Sequence, residues 1–113
     1  KMLINLKLLT QKYFNFFKKK KILNLEQLFD KNIELIDPGN RLKGKKKVLE
    51  FNSKFFKNHK SIMIKILYQA INKKEKTTFS YIEVILNRKK FHVVDLLQFT
   101  KNNKLKKIIA FKK

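Results

Sequence analysis

The sequence predicts an α+β domain in which helices pack on one face of a curved antiparallel sheet. Helical spacing of apolar residues is concentrated in the first half of the chain, with one strand between helices. The second half is a run of strands separated by the short polar turns "KKEK", "NRKK" and "KNNK". The chain has 113 residues, is 43% hydrophobic and carries eleven Phe, enough for one core. No Pro/Gly/Ser-rich stretch marks a linker, so residues 1–113 are expected to form a single domain.

The elements follow in order. From Met2 to about Lys18, Leu6, Leu9, Tyr13, Phe16 and Phe17 recur at helical spacing. A second short helix fits residues 23 to 30, "LNLEQLFD". "NIELID" then alternates as a strand with Ile33, Leu35 and Asp37 on one face, and Pro38–Gly39 stops it. After the loop "PGNRLKG", residues 45 to 57 read as a helix with Val48, Leu49, Phe51, Phe55 and Phe56 on one side. Residues 61 to 72 alternate as a strand with Ile62, Ile64, Ile66, Tyr68 and Ala70 inward. Residues 77 to 87 follow with Phe79, Tyr81, Glu83 and Ile85 inward, then "FHVVDLLQF" (91 to 99) and "LKKIIAF".

Charge and composition limit the function. The net charge of +21 admits a polyanion partner, RNA or DNA above all, because clustered lysines release counterions from phosphates. Yet only Arg41 and Arg88 are arginine among 29 basic residues, and Lys, Asn, Ile and Phe abound, as AT-rich codons would give. Proteins selected to grip phosphate favour the guanidinium fork more than this. The runs Lys18 to Lys21 and Lys45 to Lys47 fall at element ends, where solvated lysines belong. There is no cysteine, which excludes disulfides and thiolate metal sites, and His59 and His92 lack metal-ligand spacing. No metal or cofactor is expected.

The apolar opening "KMLINLKLLTQKYFNFF" is interrupted by Lys7, Gln11 and Lys12 and has no small-residue cleavage site after it, unlike a signal peptide. No apolar run is long enough to span a bilayer, so the expectation is a soluble, cytoplasmic protein. Lys1 precedes Met2, which leaves room for a preceding segment.

One stripe breaks the usual pattern. In "FHVVDLLQF", alternation puts Phe91, Val93, Asp95, Leu97 and Phe99 on one face, with a carboxylate at its centre. Desolvation by Val93 and Leu97 would raise the pKa of Asp95, as at a binding or catalytic site. Taken singly, Asp37 also reads as a turn residue before proline, and Tyr13 as a core aromatic.

The order of elements, with "TQKYFNFF", "LEQLFDKNIELIDP", "LKGKKKVLEFNSKFF" and "FHVVDLLQFTKNNKLKKIIAF", resembles the NTF2-like superfamily, including SnoaL-like proteins and ketosteroid isomerase. The resemblance runs from about Leu9 to Phe111. It implies a cystatin-like cone, with the sheet wrapped around the N-terminal helices and a pocket at one end. Asp95 would then point into the concavity. Phe17, Phe55, Val93 and Leu97 are expected to line the pocket, joined by the more polar Tyr68, Tyr81 and Glu83, with Glu83 alternatively paired to a lysine.

The resemblance also implies a catalytic set. Tyr13 matches the phenol that hydrogen-bonds the substrate oxygen, Asp37 the carboxylate that shuttles a proton, and Asp95 the acid kept neutral to donate a second hydrogen bond. The superfamily hosts isomerases, cyclases, hydrolases and non-catalytic binding domains on one scaffold. The expected function is binding of an apolar, carbonyl-bearing small molecule, with isomerase-type (enolising) or cyclase-like activity. The alternative is a basic, non-catalytic module on RNA or a ribonucleoprotein such as a ribosomal subunit.

The other side of the sheet predicts assembly. His92, Val94, Leu96 and Gln98 face outward, and Ile82, Val84, Leu86, Met63, Leu67 and Ile71 are expected beside them. An antiparallel sheet with a solvated face should be polar there. Apolar residues of that extent point to a homodimer, packed sheet to sheet through Val84, Leu86, Val94 and Leu96.

Overall fold

The computed structural model describes residues 5–112. Helix α1 (Leu6–Lys18) starts at Asn5, whose side chain accepts a hydrogen bond from the Lys7 N–H at 2.8 Å. The part of the expected helix before Asn5 lies outside the described residues. Leu6, Leu9, Thr10, Tyr13 and Phe14 form its buried stripe. The helix ends with Lys20 at φ 58°, while Lys20 N–H donates to Phe17 O and Lys21 N–H to Phe16 O. This is a Schellman closure with lysine where glycine is usual.

Helix α2 (Ile22–Leu28) passes directly into strand β1 (Phe29–Asp37), so Phe29 and Asp30 are strand and not the end of the helix. Strand β2 (Asn40–Lys43) then pairs back on β1 through the two-residue turn Pro38–Gly39. This strand lies in what the sequence reads as a loop. Gly44, at φ 98°, caps helix α3 (Lys45–Asn58), a conformation that side-chain-bearing residues rarely adopt. Strands β3 (Ile62–Asn72), β4 (Thr77–Leu86), β5 (Lys89–Phe99) and β6 (Leu105–Lys112) complete the chain. Asn87 and Arg88, both at positive φ, join β4 to β5 in a tight hairpin.

The curved sheet has the order β2-β1-β6-β5-β4-β3. It is mixed and not purely antiparallel, because β1 and β6 pair in parallel. The chain leaves β1 for a hairpin and a helix before the long meander, and the last strand returns beside the first in the same direction. α1, α2 and α3 cover the inner face. At one end Leu25, Phe29, Ile33, Val48, Leu97 and Leu105 are at most 1% exposed and form a dry core.

Two strands differ in phase from the sequence reading. In β4 the inner face is Thr78, Ser80, Ile82, Val84 and Leu86, so Tyr81 and Glu83 face outward. The polar pair Thr78 and Ser80 is tolerated inside because each finds a partner: Thr78 Oγ1 lies 2.8 Å from Thr10 Oγ1, and Ser80 Oγ accepts from Gln69 Nε2 at 3.1 Å. In β3 the register slips between Ile66 and Tyr68, leaving Leu67 as an extra residue. A bulge of this kind reverses the phase beyond it, so Tyr68 turns outward and Ile71 packs on the core.

Candidate functional site

At the end of the molecule away from the dry core, the helices and sheet enclose a cavity of about 350 Å³. Tyr13, Phe14 and Phe17 of α1 and Phe51, Asn52 and Phe55 of α3 supply the helical wall. The aromatic rings brace one another, with Phe17 at 5.9 Å from Tyr13, 5.5 Å from Phe55 and 5.0 Å from Phe56 between centroids. The sheet wall comes from Leu35 and Asp37 of β1, Ile82, Val84 and Leu86 of β4, Phe91, Val93 and Asp95 of β5, and Ile108 and Ala110 of β6.

Asp95 is the buried acid of this wall. It stands opposite Ala110 on β6 and Ser80 on β4. The methyl of Ala110 leaves space where a larger residue would fill the cavity. Desolvation by burial pushes the Asp95 carboxyl from 3.8 up to about 7. Tyr13, 4% exposed, has its phenol raised well above the ordinary tyrosine value, first by burial and then by the negative charge of Asp95. The phenol therefore remains a proton donor throughout the neutral range.

Asp37 reaches the cavity from the end of β1. Its Oδ1 accepts from Gly39 N–H and from Asn40 Nδ2, both at 2.9 Å. It is thus both a turn residue and a cavity residue. The carboxylate is held in place by the turn and is less free to move than a position beside Pro38 suggests. Both bonds fall on Oδ1, and neither engages Oδ2.

Of the other residues expected to line the pocket, Phe17, Phe55 and Val93 do. Leu97 does not: it is fully buried in the dry core below Asp95. Tyr68, Tyr81 and Glu83 lie on the outer face, for the reasons of phase given above. There Tyr81 stacks between Tyr68 at 6.4 Å and His92 at 5.7 Å. Glu83 pairs with Lys90 Nζ at 3.7 Å and His92 Nε2 at 3.8 Å, as its alternative reading expects. Conversely Val84 and Leu86, expected on an outer interface, line the cavity.

Among the cavity residues that the sequence reading did not name, two are polar. Lys112 stands at the rim with its ammonium 5.1 Å from the centre of the Phe91 ring. Asn52 is 2% exposed, and its Oδ1 is buried without a hydrogen-bonding partner. Its position was the readable signal: four residues after Val48 and four before Phe56, it falls in the middle of the apolar helix face. Among the described residues no group of three or more His, Cys, Asp or Glu is placed to hold a metal ion. No helix in that range is long and apolar enough to cross a membrane.

No protein-family model matches the sequence, and no curated protein matches it. Solved structures do. An NTF2-like protein of unknown function from Cytophaga hutchinsonii superposes with a TM-score of 0.82 at 11% identity, over 100% of this chain and 94% of its own. A candidate ketosteroid isomerase from Kribbella flavida gives 0.83 at 14%, over 96% and 77%. SalBIII, an epoxide hydrolase/cyclase-like enzyme of pyran ring formation in the polyether salinomycin, gives 0.84 at 15%, over 96% and 90%. Likeness at such low identity is a likeness of backbone. The chain therefore has the NTF2-like, cystatin-like fold that it shares with ketosteroid isomerase-like and SnoaL-like proteins.

Proposed function

We propose that the protein binds a compact, apolar, carbonyl-bearing molecule in this cavity and moves a proton on it. The observation that carries the reading is the convergence of a buried phenol, Tyr13, and a buried acid held near neutral pKa, Asp95, on one mostly apolar cavity. The Tyr13 hydroxyl and protonated Asp95 donate to the substrate oxygen, where negative charge develops as an enolate forms. Asp37 Oδ2 takes the proton from the carbon beside the carbonyl and returns it to the γ-carbon, so that a β,γ-double bond moves into conjugation with no net loss of protons. The similarity to isomerase- and cyclase-like structures supports this class of chemistry.

The test is turnover of β,γ-unsaturated cyclic ketones, followed by the absorbance of the conjugated product. Asp37→Asn should lose at least about 100-fold in kcat, the usual worth of a positioned base. In the parent, kcat/KM should fall as pH rises through about 7, because ionised Asp95 no longer donates. Equal turnover by parent and Asp37→Asn would end the catalytic reading. The polyanion alternative draws no support from these structural relatives, and among the described lysines Lys112 alone lines the cavity.

A second reading concerns assembly, and exposed apolar surface favours it. On the outer sheet face Tyr68 is 75% exposed, Met63 58% and Phe111 53%. Tyr81, Phe79, Val94 and Leu96 lie among them in cross-strand register. We infer a homodimer through this face, with Val94 and Leu96 retained and Phe79 and Tyr81 in the place expected for Val84 and Leu86. Net charge opposes association, so the dimer should weaken at low salt. Sedimentation at moderate salt should show a dimer for the parent and a monomer for Leu96→Lys; a monomeric parent at micromolar concentration would exclude it.

A further inference from the structure

We propose that Asn52 is a ligand-binding residue, its carboxamide holding a second oxygen function on the molecule whose carbonyl faces Tyr13 and Asp95. This rests on reading the cavity as a carbonyl-binding site. Asn52 stands on the inner face of α3 between Val48 and Phe56, one helical turn from each, and both neighbours are in the apolar core. Packing alone would place leucine there. The amide is 2% exposed, lies on the cavity wall, and has its Oδ1 buried without a partner. By contrast the buried hydroxyls of Thr10, Thr78 and Ser80 each have a side-chain partner within 3.1 Å. An unpaired buried carbonyl oxygen is costly to a fold, and such groups in proteins commonly mark a functional contact.

The chemistry follows from the placement. Half a turn about the last torsion exchanges the amide oxygen and NH2, so Asn52 can accept from a hydroxyl or donate to a carbonyl or ether oxygen. Tyr13 belongs to α1 and Asp95 to β5, whereas Asn52 enters from α3. Asn52 makes no hydrogen bond to Tyr13 or Asp95, so its Oδ1 is left for a further group on the ligand. The cavity volume of about 350 Å³ sits at the small end of ligand sites. The favoured ligand is thus a compact hydrocarbon skeleton with two separated oxygen functions, not a ketone with an otherwise bare frame.

A matched pair of probes tests this: a decalone and the same decalone with a hydroxyl on the far ring, titrated calorimetrically into parent, Asn52→Leu and Asn52→Ala. The parent should bind the hydroxydecalone about five- to tenfold more tightly, the worth of one hydrogen bond. Both variants should lose that preference, and Asn52→Leu should bind the plain decalone at least as well as the parent. Thermal unfolding should show Asn52→Leu no less stable than the parent, and Asn52→Ala provides the comparison if leucine does not fit. A parent that binds both probes equally, or variants that keep the preference, would overturn the role of Asn52 alone. A parent that binds neither probe would overturn the carbonyl-binding reading, and this inference with it.

Discussion

Strand β5 passes through two environments within a few residues. At one end its inner side chains, Leu97 and Phe99, are at most 2% exposed and are packed by Leu25, Phe29 and Leu105. At the other end Phe91, Val93 and Asp95 face the cavity. The same inward face thus closes a core and walls a site. The difference lies in what stands opposite. Leu97 is matched on β6 by Ile108, while Asp95 is matched by Ala110. Dry packing stabilises in proportion to the apolar area removed from water, whereas burying a carboxyl costs stability unless the proton stays on it. The lower end holds the fold together; the upper end spends part of that stability on a chemical group.

The largest expected effect breaks the comparison at its packed end. Leu97→Ala should cost about 3–5 kcal/mol, because the rigid core cannot collapse onto the void. Val93→Ala, beside a cavity already there, should cost less than about 1.5 kcal/mol. Urea unfolding of the two variants gives both numbers; equal costs would mean that the two ends are packed alike.

The next effect comes from Asp95 and has a definite sign. Its folded pKa of about 7 lies above the ordinary 3.8, so the folded state holds a proton that the unfolded chain has lost between those values. This contribution to stability is fully present below about pH 4 and declines as pH rises, until the folded group also ionises near 7. Asp95→Asn should remove that dependence. The variant should match the parent near pH 4 and exceed it by about 2–4 kcal/mol at pH 8. Denaturant titrations at four or five pH values measure the gap, and a gap that widens toward acid would contradict the assignment.

The smallest effect sharpens the comparison by leaving both ends alone. Arg88 occupies the second position of the Asn87–Arg88 hairpin at φ 77°. Arg88→Gly removes the side chain from a conformation that glycine tolerates, and should add about 0.5–1 kcal/mol of stability. Ligand affinity should not change. If it does, the hairpin is coupled to the cavity, whose wall Leu86 and Phe91 form on either side of it.

These regions were unequally legible in the sequence. The dry end was read in phase but not in place: Leu97 and Phe99 alternate as a strand should, yet Leu97 was expected in the pocket and lies in the core. The helix faces of α1 and α3 follow their spacing. Asp95 was legible because a charge interrupted an apolar alternation. β4 was not, since "TTFSYIEVIL" alternates acceptably in either phase and its aromatics favour the wrong one. The inner phase buries Ile82, Val84 and Leu86, and tertiary hydrogen bonds, Thr10 to Thr78 and Gln69 to Ser80, satisfy the polar residues that come in with them. The slip at Leu67 left no mark in an unbroken run of aliphatics, and β2 was too short and too close to two glycines to stand out. Asn52 sat in plain view, but a reading that seeks hydrophobic faces passes over the amide within one.

The extra residue in β3 has a consequence beyond aiming Tyr68. β3 is the terminal strand of the sheet, so the backbone groups of its far edge have no neighbouring strand. Strands left so open recruit other strands, and this one is eleven residues long and rich in isoleucine. The irregularity at Leu67 divides that edge into two shorter stretches, and Lys65 on the nearer one adds charge that repels a second copy. Deleting Leu67 would straighten the edge and turn an orderly domain toward fibril formation, visible as thioflavin fluorescence growing on incubation at moderate salt.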